Sequence, residues 1–455
     1  MSLSTEATPA RSALAKGGMR EVFELAYPVV LTQMSATAMG VVDSAMVGRL
    51  GATQLAAVGF GGVWLWTFFS LFYGTASGVQ TFVSQADGAG RQRECGFWAW
   101  QGAYVVVPAT TLAVLLLMLG ARPLIGLLGA SPELQGHTLA YVGARLPGEI
   151  GMALTMLLTS FFRGFGDTRT PLYVTLAANL VNAVLDYGLI FGELGLPAWG
   201  VSGAGAATAV GEWFAFGALL LAFRRRHLRE RFDTQSVPPD REAIRRFLRV
   251  GAPVGGQWCL GMTSFAMFTT LVARMGDASM AASQAFVMLL SLSFMQAIGI
   301  SAAAATLVGR YIGAGDPDAV EASFRSSLGL GALLGGIVAV VFVAIPAQLL
   351  SIFSDDPSVL ELGVPLLALG ALFQLCDALG IISEGALRGA GDTRWPFVVH
   401  TLLGWGFFVP IAYLLGVVRG GGLWGAWLGG LIYVIALSSV LIWRFASGSW
   451  RHTRI

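Results

Sequence analysis

Charged side chains are scarce in this chain. Asp, Glu, Lys and Arg make up 12% of its 455 residues, whereas a soluble domain carries about 25%. Hydrophobic residues reach 55%, and the mean hydropathy is +0.70. A water-soluble fold of this composition would expose large apolar patches, and the 60 glycines fit helices that approach one another closely in lipid. The composition therefore indicates a membrane protein.

Motifs for catalysis, metals and cofactors are also missing. Cys95, Cys259 and Cys376 lie far apart without a CxxC spacing, so neither a disulfide framework nor a zinc site is supported. There is no HExxH, no P-loop and no nucleophile–base pair. We therefore expect a protein that is not an enzyme and has no resident cofactor. Residues 1–19 lack an apolar core and do not read as a cleavable signal peptide.

The chain contains two copies of one unit. The segment RGFGDTRTP at 163–171 returns as RGAGDTRWP at 388–396, an offset of 225 residues (388 − 163). The same offset maps Pro28 onto Pro253 and Pro132 onto Pro357. A single shared offset indicates duplication, which is a common construction of secondary transporters.

Hydropathy and helix breakers predict six membrane spans in each copy, at about 20 apolar residues a span. The fold class is thus an all-α polytopic membrane protein with two six-helix lobes, related by a pseudo-two-fold axis along the membrane normal. The predicted domains are an N-lobe at 1–223, an inter-lobe linker at 224–246 and a C-lobe at 247–455. The predicted spans are 21–47, 54–86, 94–120, 134–162, 170–191, 203–223, 247–273, 279–310, 319–350, 358–386, 394–416 and 423–444.

The distribution of Lys and Arg predicts how the spans are oriented in the membrane. All but five of the 28 Lys and Arg residues fall on the side that holds both termini, which predicts cytoplasmic termini in a bacterial cytoplasmic (inner) membrane. The arginine-rich stretch 224–249 is explained by this rule, and we expect no nucleic-acid partner. The five assigned to the opposite side are Arg49, Arg122, Arg145, Arg274 and Arg419.

Ionisable residues inside spans are costly and usually mark function. Asp43, Asp186 and Thr208 each lie about five residues inside the same predicted boundary, and Asn182 lies one turn from Asp186 on one helix face. Two carboxylates, an amide and a hydroxyl at one depth could bind a proton or Na⁺. The alternative is that these groups merely cap one another inside a helix bundle.

Other intramembrane polar residues are more ambiguous. Glu212 could belong to the polar pocket or partner a backbone group, and His400 could relay protons or simply pack. Asp377 also stands out as an ionisable residue within a span, and Glu149 and Glu384 are further candidates. Frequent aromatic residues in the spans could form an adaptable surface for flat cations, or belong to lipid-facing belts.

These residues carry a family resemblance that covers essentially the whole chain. The doubled RGxGDTRxP segment, Pro28 followed by Asp43 and Val47-Gly48, the Asn182-x-x-x-Asp186 pair and GVSGAGAAT at 200–208 resemble the multidrug and toxic compound extrusion (MATE) transporters, closest to the DinF-like branch. The resemblance implies efflux of organic, often cationic, compounds in exchange for H⁺ or Na⁺. It implies that Asp43, Asn182, Asp186 and Thr208 form the cation-coupling site and that Pro28 is a hinge of helix 1.

The resemblance also matches Asp377 to a helix-10 carboxylate of the family, a possible C-lobe site. One departure stands out. The Na⁺-coupled norfloxacin-efflux branch has a Glu in helix 7 where this chain has Gly261. This difference favours H⁺ acting through the N-lobe, without excluding Na⁺ at the same four residues.

The expected function is secondary active multidrug antiport by alternating access, and we expect a monomer surrounded by membrane lipids. The alternative within the superfamily is a lipid-linked precursor flippase. A flippase cavity would need arginines to hold pyrophosphate, and we expect the arginines of this chain to lie outside the spans. A channel or receptor would not need buried carboxylates, and ion flux without countertransport would reveal it.

Overall fold

The computed structural model describes residues 16–127, 131–353 and 356–453, and within these ranges the chain forms helices and no β-strand. Twelve long helices follow one another. They are α1 (Met19–Gly48), α2 (Ala52–Gly88), α3 (Glu94–Leu127), α4 (Pro132–Gly164), α5 (Arg169–Phe191), α6 (Val201–Phe223), α7 (Arg241–Ala273), α8 (Asp277–Gly313), α9 (Pro317–Ala344), α10 (Pro357–Gly389), α11 (Arg394–Val418) and α12 (Gly422–Ala446).

Ten of these helices are long and apolar enough to cross a membrane on length and composition alone, counted over the described residues. The other two, α4 and α7, carry polar residues within an otherwise apolar stretch, among them Arg145, Glu149 and Gln257. The all-helical, twelve-helix, two-lobe arrangement predicted from the sequence is confirmed.

Some helices depart from regular geometry. α2 breaks at Gly78, and α11 contains two π-helical turns, Gly404–Phe408 and Leu414–Val418. α9 ends at Ala344 because Pro346 has no amide hydrogen and disfavours a helical residue before it; a short helix, Pro346–Ser351, follows. The span predicted at 319–350 is therefore two helices.

The connection between the lobes packs against α3. A short helix, Arg226–Phe232, buries Leu228 and Phe232. The Tyr104 hydroxyl of α3 then donates a hydrogen bond of 2.7 Å to the Val237 carbonyl. α7 begins at Arg241, where the Asp240 side chain caps the helix by accepting from two amides of its first turn. The predicted lobe boundaries stay a prediction.

Each lobe is built around one central helix. In the N-lobe α4 packs against α2, α3 and α6, and in the C-lobe α10 packs against α8, α9 and α12. The lobes meet where α2 lies against α7 and where α8 lies against α1 and the last turns of α2. Glycines allow the closest approach: a Cβ added at Gly74 would lie 2.6 Å from the Gly255 Cα. Nearer the other end, a Cβ at Gly59 of α2 or Gly261 of α7 would meet no atom within 4 Å.

The doubled motif lies at the closed end of this interface. The Thr81 hydroxyl of α2 donates to the Arg388 carbonyl at 2.8 Å, and the Thr306 hydroxyl of α8 donates to the Arg163 carbonyl, also at 2.8 Å. Both donors and both acceptors are 225 residues apart, so the two lobes exchange one equivalent hydrogen bond. Gln80, Gln85 and Arg310 add bonds of 2.9 to 3.0 Å across the same interface. We call these five side chains and their acceptors the seal.

Candidate functional site

The N-lobe brings two predicted acidic residues into contact. Asp186 of α5 is fully buried, and its carboxyl group lies within hydrogen-bonding contact of the Asp43 carboxyl of α1. The Asn182 side-chain amide donates to Asp186 Oδ2 at 2.7 Å, as the four-residue spacing on α5 predicts. One oxygen of each carboxyl, Asp43 Oδ1 and Asp186 Oδ1, is buried with no donor among the described residues.

Thr208 lies beside this pair and is not bonded to it. Together with Asp43 it lines a cavity of about 330 Å³ between α1, α2, α4 and α6. Its hydroxyl donates to the Ala204 carbonyl of its own helix at 2.9 Å. The structure therefore brings Asp43, Asn182 and Asp186 together and places Thr208 on the wall of the same cavity.

An arginine occupies the same cavity, and its position corrects the sequence analysis. Arg145, assigned above to the outer surface, lies inside α4. Its Nε is 3.3 Å from Glu149 Oε1 and its Nη2 is 2.9 Å from Glu212 Oε1. Tyr73 of α2 donates its hydroxyl to Glu149. The expectation that all arginines lie outside the spans is wrong, because two glutamates offset the cost of burying this guanidinium.

This triad of Arg145, Glu149 and Glu212 was only partly visible in the sequence. The Arg145 and Glu149 spacing of four residues, in an otherwise apolar helix, is the signal that could have suggested the pair. Glu212 is 67 residues further on, and no local pattern connects it to Arg145. Its Oε2 is buried with no donor among the described residues.

The charges in this cavity do not balance. Asp43 and Glu149 line the cavity together with Arg145. Two more carboxyl groups lie next to it, Asp186 in contact with Asp43 and Glu212 bonded to Arg145, so four carboxyl groups stand against one guanidinium. Buried charges without a partner are costly. The cavity can therefore reach neutrality only by taking up protons or a cation, which is the chemistry that ion coupling needs.

The C-lobe has a separate polar group. His400 Nε2 of α11 lies 3.4 Å from Glu384 Oε2 of α10. Asp377 of α10 lies near both residues, and Gln257 of α7 contacts Glu384. The structure thus places Asp377 with this C-lobe group and apart from the N-lobe carboxylates.

Pro28 lies within α1, which continues as a helix on both sides of it. Proline has no amide hydrogen, so one bond of the helix is missing at this point. The Thr32 hydroxyl donates to the Pro28 carbonyl at 2.7 Å. This geometry is compatible with the predicted hinge, which stays a prediction.

Comparison with known proteins identifies the family. The MatE family profile matches the chain twice, at residues 28–188 and 253–414. The chain belongs to the MATE family. The two MATE segments begin at Pro28 and Pro253, which lie at the 225-residue offset of the internal repeat.

Full-length relatives agree with this assignment. The chain is 30% identical to a probable multidrug resistance protein NorM of Thermotoga maritima, covering 95% of this chain and 93% of that protein. It is also 30% identical to the multidrug resistance protein PmpM of Pseudomonas aeruginosa, covering 96% and 93%. The prediction of a MATE transporter is confirmed, and the narrower DinF-like branch stays a prediction.

Solved structures show the same fold. An outward-facing multidrug resistance MATE family transporter superposes with a TM-score of 0.88 at 18% identity, covering 96% of this chain and 98% of that one. A MATE structure in a bent conformation superposes with a TM-score of 0.87, also at 18% identity. This MATE chain is accordingly a multi-pass membrane protein with two six-helix lobes.

Proposed function

We propose that the protein is a secondary active multidrug efflux antiporter that exports organic, often cationic, compounds in exchange for H⁺. The family and the names of the full-length relatives support multidrug efflux. The observation that carries ion coupling is the contact between the buried carboxyl groups of Asp43 and Asp186.

A proton suits this contact better than Na⁺. One proton shared between two touching carboxyl groups removes a charge and supplies the missing hydrogen bond in one step. Na⁺ would neutralise the same charge without supplying that hydrogen bond. Na⁺ coordinated by Asp43, Asn182, Asp186 and Thr208 is the alternative.

We further propose a bacterial inner-membrane location with both chain termini in the cytoplasm, since all but five of the Lys and Arg residues lie on that side. The seal then closes the cytoplasmic end of the lobe interface, and the ends of α2 and α7 on the other side of the Gly74–Gly255 contact face outward. In this state an external proton can reach Asp43 and Asp186, and a bound drug can leave.

Coupling follows if the proton and the drug favour different arrangements of the lobes. Protonation of the Asp43–Asp186 pair changes the packing of α1 and removes the charge that holds a cationic drug. The lobes then rearrange, the seal opens, the proton leaves to the cytoplasm, and the deprotonated pair binds the next drug molecule.

The flippase alternative has no support from the cavity. Arg145 is the guanidinium that could hold a pyrophosphate there, but it is already bonded to Glu149 and Glu212. Four carboxyl groups would repel a polyphosphate anion.

The test uses the purified full-length chain in sealed vesicles, with ethidium as the transported probe and either a pH or a Na⁺ gradient imposed separately. We expect the pH gradient to drive ethidium transport, Asp43→Asn to abolish it, and Asp277→Asn, which removes an exposed carboxylate at the start of α8, to leave it unchanged. Transport driven only by the Na⁺ gradient would refute proton coupling, and undiminished transport by Asp43→Asn would refute the site. No ethidium or other drug movement under either gradient would refute efflux itself.

A further inference from the structure

A second polar cavity lies far from the carboxylate site, at the sealed end of the C-lobe. It has a volume of about 720 Å³ and opens between the first turns of α7 and the turn that joins α10 to α11. We call it the arginine pocket, after the five arginines that line it: Arg241, Arg245, Arg246, Arg249 and Arg394.

The α7 sequence places these arginines together. Arg241, Arg245 and Arg249 are four residues apart and share one face of the helix. Arg246 lies beside this face, with its guanidinium also 5.4 Å from the centre of the Trp98 ring. Arg394 approaches from the first residue of α11.

Among the residues that the structure describes, two acidic side chains line the pocket, alongside Arg241, Arg245, Arg249 and Arg394. Asp392 also lines the pocket, but its carboxylate is bonded to the Arg444 guanidinium of α12 at 2.9 Å. Glu242 is the other acidic residue of the lining. Converging like charges repel one another, so an anion bound between them would relieve the repulsion.

The corresponding place in the N-lobe is neutralised. At the 225-residue offset, Lys16 replaces Arg241 and pairs with Asp316 at 3.1 Å, and Arg20 replaces Arg245 and pairs with Glu24 at 3.1 Å. Glu24 itself stands at the position of Arg249. Positive-inside topology acts on both lobes alike, so it does not explain why one lobe is neutralised and the other is not.

The first turns of α5 and α11, which are equivalent helices of the two lobes, also differ: a carboxylate caps the start of α5, and no side chain that the structure describes caps the start of α11. In the N-lobe, Asp167 accepts from the amides of Arg169 and Thr170 at 3.2 and 3.0 Å and so caps α5. In the C-lobe the equivalent Asp392 is turned to Arg444, and no described side chain accepts from the amides of Arg394 and Trp395. The partly positive start of α11 is therefore added to the guanidinium groups of Arg241, Arg245, Arg249 and Arg394.

We propose that the arginine pocket is a binding site for a phosphate-bearing anion. Arginine forks match phosphate oxygens in bidentate geometry, and a helix start contributes further donors. The phosphate can belong to the headgroup of an anionic membrane lipid or to a soluble phosphate compound. Bound there, it would hold α7 to the α10–α11 turn, alongside the 2.8 Å hydrogen bond from the Thr393 hydroxyl to the Val250 carbonyl.

The experiment measures the Tm of the purified full-length chain in neutral detergent micelles, with and without added phosphatidylglycerol or phosphatidylcholine, and separately with inorganic phosphate against sodium chloride of equal ionic strength. The pocket variant is Arg245→Gln with Arg249→Gln. The matched control is Arg224→Gln with Arg225→Gln, which removes the same charge from two exposed arginines outside the pocket.

A phosphate-bearing ligand should raise the Tm of the wild type, since a ligand that binds only the folded state stabilises it. The pocket variant should lose at least half of this rise and the control should keep it. A rise with phosphatidylglycerol alone identifies the lipid as the source, and an equal rise with inorganic phosphate identifies a soluble one. The proposal is overturned if neither anion raises the Tm, or if both variants lose the rise equally. Neither result bears on whether the protein transports drugs.

Discussion

The two lobes share one fold and differ in what they place at its centre. Asp43 of α1 corresponds to Phe268 of α7, and Arg145 and Glu149 of α4 correspond to Gly370 and Gln374 of α10. Where the N-lobe holds carboxyl groups and a guanidinium, the C-lobe holds Phe268, which lies 5.1 Å from the Phe408 ring and 4.8 Å from the Trp427 ring.

The difference shows that duplication preserved the helix packing but not the chemistry. An aromatic core needs no counter-ion, whereas a buried charged cavity changes its energy whenever a proton or cation enters. The C-lobe does hold titratable groups, Asp377, Glu384 and His400, but they stand at other positions: the N-lobe counterparts are Met152, Thr159 and Thr175. We therefore assign coupling to the N-lobe and test the contrast below.

The largest expected effect is on transport. Asp186→Asn should lower the rate of ethidium transport driven by a pH gradient by on the order of tenfold or more, in line with typical coupling free energies, because an amide cannot share a proton with Asp43. Asp377→Asn in the C-lobe should cost clearly less. The vesicle assay described above measures both, and a larger loss in Asp377→Asn would reverse the assignment of lobes.

Stability should show the next largest effect. Arg145→Ala leaves Glu149 and Glu212 without their cation, and we expect a loss of about 3 kcal/mol in unfolding free energy. Arg49→Ala, which removes an exposed arginine at the end of α1, should change little. Unfolding in detergent by denaturant measures both.

Adding Glu212→Gln to Arg145→Ala should recover part of the lost stability, because one uncompensated carboxylate is removed. A double variant as unstable as the single one would show that Arg145 acts by packing and not by charge.

The seal offers a test of the exchanged hydrogen bonds. Thr81→Ala and Thr306→Ala each remove one half of the exchanged pair, worth about 1 kcal/mol, and each should shift the protein toward opening of the sealed end. Thr306→Ala should shift it further, because the Thr306 hydroxyl also accepts from the Gln80 amide at 2.9 Å. Thr269→Ala is the control, since its hydroxyl bonds only to the Phe265 carbonyl of its own helix. Distances between spin labels across the sealed end measure the shift, and a larger shift in Thr81→Ala than in Thr306→Ala would contradict the expected order.

The smallest effect concerns a helix cap found in one lobe. Asp316 accepts from the Ala319 amide at the start of α9 and pairs with Lys16, and these two contacts hold the pKa of its carboxyl below the ordinary value. Because this pKa is lowered, the contribution of Asp316 to stability is present at neutral pH and is lost as the pH falls below about 4. Asp316→Asn should therefore have a slightly lower Tm than the wild type at pH 7, with the difference vanishing at low pH. A difference that persists at low pH would contradict this origin.

Hydropathy and the repeated offset were enough to predict the twelve helices and the two lobes, because each long helix needs an apolar stretch of similar length. The contact of Asp43 with Asp186 could also be anticipated, since both lie at one depth below the same boundary. Arg145 could not be placed, because a single arginine in an apolar helix looks like a residue at the membrane surface until its distant partner Glu212 is known.

Repetition in sequence also does not guarantee repetition of contacts. Asp167 and Asp392 occupy the same place in the doubled motif, yet one caps a helix and the other pairs with Arg444. The Thr81 and Thr306 bonds of the seal have carbonyl acceptors, which leave no mark in the sequence.

The glycine crossing of α2 and α7 has a mechanical consequence. Only hydrogen atoms lie between the Gly74 and Gly255 backbones, so at this point of contact no bulky side chains have to move when the angle between the two helices changes. The contact can thus serve as a pivot, about which one lobe rotates relative to the other at a low energetic cost. If this contact adds little to the energy difference between the conformations, the hydrogen bonds of the seal and the charge of the N-lobe cavity govern the direction in which the transporter opens.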